Sequence, residues 1–148
     1  MARSTGWFSS PRKFFGAVQV DAYGSRVSMA EPEKTVVDAL ERPEYAGDIP
    51  EIAGMLRRGQ GRISWDKLAQ YALRFESQAL VQRLGYLMDL LRLPVPEQTR
   101  DLLLPDVGNS TPYLGRTGRW GTGGAYDSTW RIVDNVPRPT LLAEIEVR

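Results

Sequence analysis

Ser77–Leu91 reads SQALVQRLGYLMDLL, and in it Leu80, Leu84, Leu87 and Leu91 recur at helical spacing with Val81 and Met88 on their flanks. That face is suited to burial. Projection at about 100° per residue gathers Gln78, Gln82, Tyr86 and Asp89 on the opposite side and puts Arg83 and Gly85 on the two borders. Gly85 is the unexpected residue. A glycine inside a helix costs roughly 1 kcal/mol relative to alanine, so its presence predicts that another backbone or a bulky side chain packs closely there. The rest of the chain is expected to assemble around this helix.

Moving outward, Pro94 and Pro96 stop the helix, and Glu97–Leu104 is long enough for about two further turns before Pro105. On the N-terminal side, Ser64 is positioned as an N-cap for a stripe of Trp65, Leu68, Ala69, Ala72 and Leu73 that runs to about Phe75. Asp48 and Glu51 have capping-box spacing ahead of a short helix through Ile52, Ala53, Met55 and Leu56, closed by Gly59. Glu31-Pro32-Glu33 opens another helix carrying Val36, Val37 and Leu40, which Arg42-Pro43 ends. Before it, Phe15–Ala22 and Arg26–Ala30 alternate around Tyr23-Gly24-Ser25, the pattern of a β-hairpin. After the helical block the texture changes. Gly108–Gly124 is rich in Gly, Ser, Thr and Arg, Thr111–Leu114 reads as extended, Ser128–Val133 alternates as a strand, and Leu141–Val147 fits a strand or a helix equally well. The order predicts one α+β domain: an N-terminal β-hairpin, a central block of four to five helices, and C-terminal β-strands, with an ordered core over about 13–136.

Composition narrows the chemistry. Among 148 residues there are 19 basic and 18 acidic side chains, no histidine and no cysteine. Near-neutral charge leaves any nucleic-acid contact to local patches. Lacking both residues, the chain carries no Ser-His-Asp or Cys-His apparatus, no thiolate or imidazole metal site and no disulfide. Carboxylates with Mg²⁺ and lysine chemistry remain. No apolar run reaches the roughly 18 residues of a membrane helix, and Met1–Gly6 is not followed by a signal-peptide core. A soluble, cytoplasmic protein with no membrane partner and no cofactor is the expectation.

Several residues invite a functional reading beside a structural one. Gly115, Gly118, Gly121, Gly123 and Gly124 lack the Gly-Lys-Ser/Thr of a P-loop and lead into a strand, so they predict a flexible hairpin loop, with Arg116 and Arg119 available to an anion or partner. Glu31, Glu33, Lys34 and Asp38 cluster at a helix start, where carboxylates collect for electrostatic reasons; the alternative is a small Mg²⁺-dependent nuclease or phosphotransfer enzyme. Arg57, Arg58 and Arg62 flank Gly59-Gln60-Gly61 and form a basic turn suited to phosphate or acidic protein. Arg83 either pairs within the fold or projects outward. Trp65 and Trp130 fall at core positions, whereas Trp7 and Trp120 would anchor a partner if exposed.

Four stretches in order carry a resemblance: the hairpin Phe14–Ala30; Glu31-Pro32-Glu33-Lys34-Thr35 with Val37-Asp38-Ala39-Leu40 and Arg42-Pro43-Glu44-Tyr45-Ala46-Gly47; Arg83-Leu84-Gly85-Tyr86-Leu87; and Trp130-Arg131-Ile132-Val133-Asp134-Asn135. Together they resemble the C-terminal domain of AbiEi-type antitoxins of bacterial type IV toxin-antitoxin systems. The residues that match are Glu33, Lys34, Asp38, Pro43, Gly47, Arg83, Gly85, Tyr86, Trp130 and Asn135. At Leu114-Gly115-Arg116 the chain departs from the family's LDP-like segment. The resemblance implies a non-enzymatic antitoxin and transcriptional regulator whose C-terminal domain helps neutralise a cognate nucleotidyltransferase-like toxin. It also implies cooperative repression of the operon, operator DNA being bound by an N-terminal winged-helix domain that has no counterpart in this sequence. For partner contacts the expectation is Arg57, Arg58, Arg62 and Arg83, then Arg116 and Arg119.

Overall fold

A computed structural model describes residues 17–22, 25–43 and 48–146. Trp7, Gly47, the Tyr23-Gly24 turn and Glu44–Ala46 lie outside the described residues. Strands β1 (Ala17–Ala22) and β2 (Ser25–Ala30) pair antiparallel, with Ala17 opposite Ala30 and Val20 opposite Val27. Five helices follow: α1 (Pro32–Glu41), α2 (Asp48–Gly59), α3 (Trp65–Arg74), α4 (Gln78–Leu90) and α5 (Glu97–Leu103), the last passing into a 3₁₀ turn at Leu104–Asp106. The caps are local. Ser64 Oγ accepts from Lys67 N and Ser77 Oγ from Leu80 N, and Pro32 opens α1 where its missing N–H is no loss.

The C-terminal part departs from expectation. Where a flexible loop was expected, a four-residue helix α6 (Thr117–Trp120) forms, and β3 (Ala125–Asp127) precedes β4 (Ile132–Asp134) in an antiparallel pair. The Ser128–Val133 strand is thus shortened. Trp130 N donates to Asp127 Oδ2 at 2.9 Å and Arg131 takes φ +55, so residues 128–131 turn the chain, and only Ile132 onward is extended. Thr111–Leu114 is extended as far as Tyr113, which bridges Val133 in parallel. The undecided tail is helical, as α7 (Arg138–Leu141) and α8 (Ala143–Glu146).

α1 packs on α2, α3 and α4; α5 packs on α3 and α4; α7 and α8 pack on α2, and β4 lies against α4. The core joins Val37, Leu40, Ile49, Ile52, Leu56, Leu68 and Leu103 to Leu80, Leu84 and Leu87 of α4, all fully buried. Each such side chain contributes about 1.5–3 kcal/mol by leaving water. The described residues are mostly helical with two small antiparallel sheets, which is compatible with the α+β class. None of their helices is long and apolar enough to cross a membrane.

Candidate partner-binding site

The site begins at α4, whose second face is solvated at Gln78 and Asp89 but covered at Gln82 and Tyr86. Gln82 has no exposed surface: its Nε2 donates to Trp130 O at 2.9 Å, Arg131 O at 3.0 Å and Ser110 O at 3.3 Å. One turn on, Tyr86 Oη donates to Asp134 Oδ2 at 2.6 Å, and burial together with that carboxylate pushes the phenol well above its ordinary pKa. Asp89 stays at the surface yet accepts from Trp130 Nε1 at 2.8 Å and, in a bidentate pair, from Arg100 Nε at 2.9 Å and Nη2 at 2.8 Å. Gly85 explains the register. A Cβ there would lie 2.3 Å from Trp130 Cζ3, so the glycine admits the fully buried indole against the helix backbone. Polar residues on the side opposite the leucines, Gln82, Tyr86 and Asp89, dock the segment from Ser110 to Asp134. They satisfy its carbonyls and indole, because a buried polar backbone must find partners.

The arginines do not form one patch. Arg57 Nη2 donates to Leu91 O at 2.6 Å, capping the C-terminal end of α4, and Arg83 Nε donates to Tyr113 O at 3.2 Å; both are half-buried and serve the fold. Arg58 and Arg62 are exposed at the far end of α2. Arg116 and Arg119 stand at its beginning, about 13 Å from Arg57 by the helical rise. There they meet Asp48, which is 1% exposed and has φ +77. Its Oδ1 accepts from Ile49 N at 2.8 Å, and its Oδ2 from Trp120 Nε1 at 2.9 Å, with Arg119 Nη1 at 3.4 Å and Arg116 Nε at 3.6 Å. Asp48 therefore ties α2 to α6, a role its capping-box spacing with Glu51 does not express. Trp120 is half-buried and inward-tied, not the exposed anchor its unpatterned surroundings allowed.

A second clamp holds the same loop. Asn135, 5% exposed, accepts from Gly115 N at 2.8 Å and donates to Gly115 O at 3.0 Å and Gly121 O at 2.8 Å, gripping both ends of α6. Gly115 lets the Trp120 ring close over it, since a Cβ would sit 2.4 Å from Trp120 Cδ1 and 2.7 Å from Val136 Cγ2. The glycine-rich stretch is thus anchored from Gly115 to Gly121, and only Gly118, Gly121 and Gly123 face open space.

The acidic cluster at α1 disperses. Glu31 accepts from Lys67 Nζ at 3.0 Å and from Tyr71 Oη, Glu33 from Ser64 N at 2.7 Å, and Asp38 from Lys34 Nζ. The Tyr71 bond, then Lys67, hold Glu31 below the ordinary carboxylate range, and reciprocally raise Tyr71 and Lys67. Lys34 and Glu33 are buried, and Lys34 lies 5.7 Å from the Phe75 ring centre. Glu31 and Glu33 tie the start of α1 to α3 and its N-cap while Asp38 pairs with Lys34 inside α1, so the carboxylates do not converge, and among the described residues no group of acids is placed to hold a metal. Pro43 is buried after α1; Trp65 is half-buried against the core. Comparison with family models, curated proteins and solved structures returns no match.

Proposed function

We propose that this chain is a non-enzymatic antitoxin-type domain that binds and neutralises a nucleotidyltransferase-like toxin, and that, joined to a winged-helix domain, it assists repression of its own operon. One observation carries the reading. Two of the stretches that resemble AbiEi-type antitoxins, Arg83–Leu87 and Trp130–Asn135, meet in a single packed unit: Gly85 receives Trp130, and Tyr86 bonds Asp134 from 48 positions away. Contact between these two stretches is what the resemblance would require of one domain, and it supports the reading. Arg57 and Arg83 serve the scaffold. The toxin contact falls to the exposed Arg58 and Arg62, with Arg116 and Arg119 behind them, where charge steers an acidic partner.

Co-purification with the product of the adjacent gene tests this. A stable complex whose association slows on Arg62→Glu supports the proposal; a soluble nucleotidyltransferase-like neighbour that neither binds nor is neutralised overturns it.

A further inference from the structure

We propose that Arg116 and Arg119 form a binding site for a phosphoryl group, presented by the clamped turn Gly115–Gly121. The fold engages these two guanidinium groups only loosely. Asp48 is already satisfied by Ile49 N at 2.8 Å and Trp120 Nε1 at 2.9 Å, both shorter than the arginine contacts at 3.4 and 3.6 Å. With side chains 47–48% exposed, the arginine contacts add little stability. What Asp48 does provide is position. It draws two cations onto one buried carboxylate, leaving one positive charge in excess toward solvent, and Arg119 Cζ lies over the Trp120 ring, 4.4 Å from its centre.

That ring lies close against Gly115, and Asn135 fixes both ends of the turn, so the backbone that carries the two arginines is set before any ligand arrives. Among the described residues no acceptor besides Asp48 engages either guanidinium. Paired forks with unused N–H groups, carried on a fixed turn, match the bidentate acceptor geometry of phosphate. On the same turn Gly118 and Gly121 leave open space that a phosphoryl group can approach closely. The group is supplied either by a free nucleotide polyphosphate or by a nucleic-acid backbone.

This site goes beyond toxin binding, and its test uses the chain alone. The protein is titrated with inorganic pyrophosphate, with ATP and with a single-stranded oligonucleotide. The readouts are calorimetry and the amide and indole signals of Gly115–Gly121 and Trp120. Saturable pyrophosphate binding with shifts confined to that turn is expected, weakened at least about tenfold by Arg116→Gln with Arg119→Gln. The same charge loss placed elsewhere, Arg74→Gln with Arg92→Gln, leaves it in place. Pyrophosphate that competes with ATP alone identifies a nucleotide; competition with the oligonucleotide identifies a backbone phosphate. Absence of saturable binding, or binding lost equally in both double variants, overturns the site. Near-ultraviolet circular dichroism of each variant reports that the turn is still folded.

Discussion

Gly85→Ala sets two opposed effects against each other in one residue. On helix propensity alone, alanine should stabilise α4 by about 1 kcal/mol. The added Cβ, however, would stand 2.3 Å from Trp130 Cζ3 and 2.4 Å from two further ring carbons. To restore ordinary contact near about 3.6 Å the rigid indole must move by about 1.3 Å. It has nowhere to go. The ring is fully buried, its Nε1 is bonded to Asp89 at 2.8 Å, and its backbone N to Asp127 at 2.9 Å. Overpacking of this kind costs about 1–3 kcal/mol, and stretching a hydrogen bond to a carboxylate adds about 1.5 kcal/mol. The net is destabilisation by about 2 kcal/mol, or about 4–8 °C in Tm for a chain of this size. Urea denaturation followed by far-ultraviolet circular dichroism measures it. In a Trp130→Leu background the same substitution should become neutral or stabilising, because the clash is gone. A Gly85→Ala protein about 1 kcal/mol more stable than wild type, with the Trp130 indole signal unmoved, would refute the packing of that ring on α4.

Other outcomes follow from particular bonds. Arg57→Ala removes the cap on Leu91 O and should cost about 1.5–3 kcal/mol, whereas Arg62→Ala, at an exposed turn, should stay within about 0.5 kcal/mol; urea midpoints compare the two. Asn135→Ala releases both ends of the α6 turn and leaves Gly115 N buried without an acceptor, costing about 1–3 kcal/mol, and hydrogen exchange should speed at Gly115 before the core. Because Glu31 has a lowered pKa in the fold, its contribution is complete above the unfolded value and is lost as pH falls through the folded one. Tyr71→Phe removes the largest cause, so the Glu31 carboxyl, followed by NMR, should titrate at higher pH and the acid-side loss of stability should shrink. Tyr71 has the opposite sign: its raised pKa keeps the α1–α3 tie intact below the ordinary phenol value and loses it as alkali deprotonates the folded phenol.

What the residues disclose before folding is the local part. Apolar periodicity marks α1 to α4, length between prolines marks α5, Ser64 caps where an N-cap is expected, and Gly85 announces a close approach whose partner is Trp130. Non-local hydrogen bonding is what pattern cannot show. Gln82 falls on a polar face by projection, yet its acceptors lie 28 to 49 positions away, and they cover that part of the face. Arg57 looks like a surface cation until α4, 34 positions on, supplies an unpaired carbonyl. Strands of three residues and a helix of four carry too little periodicity to detect, and α6 exists because Asp48 and Asn135 grip it from outside. Asp48 itself advertises only a cap. Its left-handed backbone and burial turn the carboxylate toward Trp120 instead.

The most direct measurement of the proposed function is growth of cells expressing the nucleotidyltransferase-like product of the adjacent gene, with and without this chain, alongside the dissociation constant of the purified pair. Antitoxin action predicts growth arrest relieved by the wild-type chain, a measurable complex, and relief lost when exposed Arg58 and Arg62 are reversed to Glu while the fold persists. Arrest that continues unchanged beside abundant, folded wild-type protein, with no complex detected, would contradict it.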